Sequence, residues 1–157
     1  MDHDAQLVTG EAVIDQFKLE DMRTELDLLR ARIQFKRNDY AGAVALLQSA
    51  RDRIERSVIA GNDMFNAVPI LHAFMARSMI HAGELEQAEA TLEKGFALDP
   101  THPQLWLARS RFQEAMGATA LAQASVNFAL AIWKDADPDY RYYIQASELA
   151  AELGAPE

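Results

Sequence analysis

Apolar side chains recur along this chain at intervals of three and four residues, the spacing that lines up one stripe of an α-helix. Met22, Leu26, Leu29 and Ile33 give the first stripe, on a helix that extends back as far as Glu11. Ala43, Leu46, Leu47, Ala50 and Ile54 mark a long second helix ending near Gly61. A third runs from Met64 or Phe65 through Met79, and a fourth from Leu85 through Leu98. Thr101-His102-Pro103-Gln104 has capping-box spacing, with Thr and Gln able to satisfy free backbone amides reciprocally. It predicts the start of a fifth helix bearing Trp106 and Phe112, and a sixth follows from about Ala118 to Trp133. Asp137-Pro138, a capping carboxylate before a residue with no amide to satisfy, predicts the start of a last helix through Leu153. Tyr140, Tyr143, Ala146, Ala150 and Leu153 share its apolar stripe. Residues 1–10 and the last few are expected to be flexible.

The helices repeat. Asn38, Gly83 and Gly117 each precede an alanine five positions on, at Ala43, Ala88 and Ala122, and an apolar residue follows four later, at Leu47, Leu92 and Val126. The alanines are spaced by 45 and then 34 residues. A 34-residue period is that of helix-turn-helix repeats, and the first interval is about three helical turns longer. Gly83, Ala88, Leu98, Asp99 and Pro100, continued by Trp106, Gly117, Ala122 and Ala129, resemble the tetratricopeptide repeat. The resemblance spans about residues 24–134, more weakly over the first unit, where Asp27 stands in place of an aromatic. The chain departs from the family pattern at Arg109, Ser110 and Gln113, and at Gly95, where alanine is usual. The fold expected is all-α: a right-handed α-solenoid of about three helix pairs, over residues 20–60, 63–99 and 102–134, with a C-terminal capping helix over 138–153. Together these make one domain spanning 11–154.

Composition narrows the function classes. A chain of 157 residues, half hydrophobic and a quarter charged, suits one folded domain. A net charge of −9 argues against a general binder of nucleic acid or anionic membrane, which needs Lys and Arg to neutralise phosphate. The absence of cysteine removes thiol catalysis, thiolate metal sites and disulfides. No basic start followed by an apolar stretch opens the chain, and no segment has a membrane-spanning run. The expected address is cytoplasmic, or periplasmic had a signal been removed.

Catalytic signals are missing. His3, His72, His81 and His102 show no metal-ligand spacing, and there is no phosphate loop, nucleophile elbow or Cys-His pair. The expectation is a protein that is not an enzyme and needs no metal or cofactor. The constellation that stands out is basic: eleven residues before each marker alanine lies an arginine, Arg32, Arg77 and Arg111. The family resemblance implies that the first helix of each pair lines a concave groove, so these would form a ladder, extended by Lys36 and His81. Such a ladder suits an acidic segment or a C-terminal carboxylate. The alternative is that each arginine pairs with a neighbouring acid such as Glu25 or Glu114. The asparagine and lysine pattern of the family's carboxylate clamp is not reproduced. Phe65, Phe74, Met75 and Met79 form either an adaptable partner surface or core and dimer packing. The function expected is a scaffold or adaptor for a protein or peptide. The rival readings are a regulatory or assembly segment of a larger enzyme or envelope protein, and a homo-oligomeric scaffold.

Overall fold

The computed structural model describes residues 22–59 and 68–154. Among these residues it contains seven α-helices: α1 (Arg23–Lys36), α2 (Tyr40–Ile59), α3 (Val68–Ala82), α4 (Leu85–Leu98), α5 (Pro103–Ala115), α6 (Thr119–Ile132) and α7 (Arg141–Gly154). The turn residues create the pairs. Asn38, Gly83 and Gly117 have φ of 63°, 80° and 72°, the left-handed conformation that ends a helix with least strain at Gly or Asn. At each turn the next residue's N–H reaches back to a carbonyl five residues earlier: Asp39 to Gln34 at 2.9 Å, Glu84 to Met79 at 2.9 Å and Ala118 to Gln113 at 2.8 Å. One C-capping geometry, made three times, folds α2 against α1, α4 against α3 and α6 against α5.

Small residues hold each pair closely. The marker alanines Ala43, Ala88 and Ala122 are fully buried, as are Ala31, Ala76 and Ser110 twelve positions before them. Side chains this short let two backbones approach at the crossing, and Leu47, Leu92 and Val126 fill the next turn of the second helices, all buried. The four departures from the repeat pattern have physical explanations. Ser110 Oγ donates to the Ala122 carbonyl at 2.8 Å, and Ser125 Oγ donates to Gln113 Oε1 at 2.7 Å, so polar atoms inside the third pair are satisfied across its crossing. Arg109 ties α5 to α4 through Glu93 at 3.1 Å and lies 4.9 Å from the Phe96 ring centroid. At Gly95 an added Cβ would sit 2.6 Å from Leu105 Cδ2 and 3.0 Å from His72 Cβ, so alanine does not fit where α3, α4 and α5 meet. In the first pair Asp27, largely buried, takes a salt bridge from Arg53 of α2 in place of aromatic packing.

Across pairs, α2 packs on α3, α3 lies beside α5, and α7 caps α6. The extra length of the first unit is visible in α2, which has 20 residues where α4 and α6 have 14. The result is the all-α helical-repeat solenoid expected, three pairs and a capping helix. No helix among the described residues is long and apolar enough to cross a membrane.

Several local expectations are corrected. The capping box does not form: His102 is the N-cap residue and makes no side-chain cap bond, while the Thr101 N–H and hydroxyl both donate to Asp99 at 2.9 and 2.8 Å. Asp137-Pro138 opens a turn, closed by the Tyr140 N–H to the Asp137 carbonyl at 2.9 Å, and the last helix starts three residues after Pro138. Its buried positions are Ala146 and Leu149, and the latter lies outside the stripe expected. Met22, placed on the apolar stripe of the first helix, is exposed. Met75 and Met79 are buried in the core under α2 and α4, so they offer no partner surface. The start of the first helix before Met22, the segment containing Phe65 and the flexible N-terminus expected over 1–10 lie outside the described residues.

Two outcomes follow for stability. A Cβ added at Gly83 or Gly117 meets nothing within 4 Å, so replacement by alanine carries only the left-handed backbone penalty, about 1–2 kcal/mol each in urea unfolding, whereas Asn38→Gly loses none. His72, buried, with Nδ1–H donating to the Val68 carbonyl at 2.9 Å, titrates below its ordinary value of 6.5, chiefly because burial penalises the imidazolium. The unfolded chain therefore binds a proton more readily, and this stabilising contribution is present above about pH 6.5 and lost as pH falls through the folded value. Unfolding free energy should drop between pH 7.5 and 5.5, and drop less in His72→Leu.

Candidate partner-binding cleft

The crossing geometry decides which way the arginine register faces. Ala76 and Ser110 are pinned against the second helices of their pairs, and the residue after each is turned by about 100° to the flank of its helix. Arg77 and Arg111 therefore project from α3 and α5 into the space between those adjacent helices and α7. There they line a cleft of about 480 Å³, with Ile80 and His81 from α3, Leu107, Glu114 and Ala115 from α5, and Gln145 from α7. Two rungs of the expected ladder thus converge. The third does not: Arg32 and Lys36 are exposed on α1, line no part of the cleft and make no ion pair among the described residues. The 45-residue first interval is the reason, because α1 does not lie against α3 as α3 lies against α5.

The two converging arginines differ in electrostatics. Arg111 Nη1 bonds Glu114 at 3.0 Å and Glu152 of α7 at 3.4 Å, the acid pairing expected as the alternative to ligand binding. Arg77 has no carboxylate partner among the described residues. Its guanidinium lies 5.2 Å from the Phe35 ring centroid, and burial pulls its pKa below the ordinary value, the Tyr142 phenol opposing this and Arg141 and Arg111 adding to it. A guanidinium stays protonated regardless, so the site holds a half-desolvated cation that no acid among the described residues pairs with.

His81, a lining residue of the cleft, is packed in an aromatic cluster. His81 stacks on Tyr40 with centroids 4.9 Å apart and meets the edge of Phe35 at 5.2 Å, and Phe74 meets Phe35 at 5.6 Å. Phe74 is not part of the cleft lining: it is half-buried beside Arg77 and Tyr142 in a smaller neighbouring pocket and is not an exposed anchor. His81 titrates below its ordinary range because of burial first, then Arg77 and Arg111. The helix register brought Arg77, His81 and Arg111 into view from the sequence. Gln145 and Tyr142 come from α7, which belongs to no repeat, and only the docking of that helix could find them. Among the described residues no three His, Asp or Glu side chains are grouped as a metal site.

The tetratricopeptide repeat family model matches residues 34–112, from the end of α1 to most of α5. The chain belongs to the tetratricopeptide repeat family. Repeats of this family generally mediate protein–protein interactions, and the cleft lies between the first helices of the second and third pairs of this tetratricopeptide protein. No curated protein matches the chain.

The electrostatics can be checked without a ligand. In Arg77→Met the nearest cation to His81 is gone, so the imidazolium is less disfavoured and His81 should titrate at higher pH than in the wild type. Side-chain NMR titration reads this, and an unchanged or lower value would contradict the arrangement.

Proposed function

We propose that this protein is a non-enzymatic interaction module whose cleft between α3, α5 and α7 holds an acidic segment of a protein partner. The observation that carries the reading is Arg77. A guanidinium half-removed from water, facing an open cleft and lacking a carboxylate partner among the described residues, is a fixed positive charge inside a protein of net charge −9. A partner's carboxylate supplies the missing counter-charge, and the fork geometry of the guanidinium favours a two-point hydrogen bond to it. Ile80, Leu107 and Ala115 give the apolar surface against which neighbouring side chains of the segment lie, while Gln145 offers an amide to its backbone.

A dye-labelled alanine peptide carrying three consecutive glutamates is the direct probe, read by fluorescence anisotropy. The wild type should bind it more tightly than the glutamine version, and the affinity should fall with added salt. Arg77→Gln should weaken binding by about tenfold or more, the worth of a charged hydrogen-bonded contact, whereas Arg32→Gln should change little. Equal binding by the wild type and Arg77→Gln would remove the cleft from the mechanism.

A further inference from the structure

Resting on the reading just given, we infer that Glu152 of the capping helix is a built-in competitor for Arg111, so that the cleft sorts acidic segments by how many carboxylates they bring. The two arginines of the cleft are in different states. Among the described residues Arg77 has no carboxylate to displace, and a first ligand carboxylate goes there. Arg111 already holds Glu114 and Glu152 through Nη1 at 3.0 and 3.4 Å, so a second ligand carboxylate arriving there is repelled by two acids and favoured by the release of one.

The two acids are not equally easy to replace. Glu114 sits three residues from Arg111 on the same helix, with its side chain 38% exposed, and lines the cleft wall. It is delivered to Arg111 by the helix itself and stays nearby in any state of the cleft. Glu152 comes from α7, 41 residues away in the chain, at the longer distance and with its side chain 61% exposed. Water stabilises a released Glu152 carboxylate, so the exchange of Glu152 for a ligand carboxylate exposes no buried charge. α7 packs on α6, and Gln145 on the same helix lines the cleft. A segment with one acid therefore binds beneath an intact Arg111–Glu152 tie, while a segment with adjacent acids binds at the expense of that tie.

The test uses the full chain and two unlabelled probes: a five-residue alanine peptide with one central glutamate, and the same length with three consecutive glutamates. Binding is followed by the side-chain NMR resonances of Arg77 and Arg111. Glu152→Gln should tighten the three-glutamate peptide by about two- to fivefold, the worth of one exposed ion pair, and leave the one-glutamate peptide unchanged. Glu86→Gln, which removes the same charge from α4, a helix that contributes no residue to the cleft lining, should change the affinity of neither peptide. Equal gains for both peptides, or equal gains in both variants, would reduce the effect to net charge and overturn the inference while leaving the acidic-segment reading in place. If neither peptide moves the Arg77 resonances in the wild type or in Glu152→Gln, the reading itself fails and the inference with it.

Discussion

The structure depends on the approach of two helices at a point where both carry almost no side chain. Ala31 against Ala43, Ala76 against Ala88, and Ser110 against Ala122 are all fully buried, and each pair sits at the same place in its unit. A larger residue at any of them would push the helices apart and open voids around Leu47, Leu92 or Val126, because interiors packed to crystal density do not absorb an added methylene freely. The crossing also fixes the rotation of each helix about its own axis. Once the position at the crossing is set, the adjacent arginine has one direction to face, so a packing constraint in the core determines where charge is presented on the surface.

That charge is costly to the fold. Removing a guanidinium from water without an acid nearby is unfavourable, and only part of the cost is offset by the Phe35 ring, since a cation–π contact of this kind is worth about 0.5–2 kcal/mol. Elsewhere the protein spends acids on its arginines freely: Arg53 has Asp27, Arg109 has Glu93, Arg51 has Asp52, and Arg111 has two partners. Arg32, which is exposed, also does without an acid among the described residues, but for a half-buried guanidinium such as Arg77 to lack one there is a departure from that pattern. The departure falls at a cleft, which is where an unfavourable electrostatic arrangement is expected to have a functional reason.

The fold was legible because its determinants are local in sequence. Turn residues at Asn38, Gly83 and Gly117, small residues at a fixed offset and apolar residues one turn later are all readable without knowing which helix touches which. The helix starts at Pro103 and Arg141 were misread because Thr101 and Asp137 have capping chemistry but spend it elsewhere: Thr101 bonds Asp99, and Asp137 closes a turn through its backbone. The cleft was half legible. Arg77, His81 and Arg111 share a helix register and could be counted out, but that register assumes equal repeats. The longer first unit breaks it, which strands Arg32 and Lys36 outside. Phe74 looked available because Phe is often a contact residue, yet an aromatic on the flank of α3 packs on Phe35 before it meets solvent.

What family membership leaves open is decided by residues the repeat does not specify. The backbone of a helical-repeat solenoid is common to partners of every chemistry, and the positions that hold it together here are Ala, Gly, Leu and Val, which carry no information about a ligand. Arg77 and Arg111 sit beside those positions without contributing to the crossing, so they can vary without loss of the fold, and the same holds for Gln145 and Glu152 on α7. Because α7 lies outside the repeat, it can alter the electrostatics of the cleft without disturbing the crossings that make it. On the proposed reading, specificity would rest on two layers: a register of flank positions inherited from the repeat, and a capping helix that adds an amide and an acid to the register from the far side of the cleft.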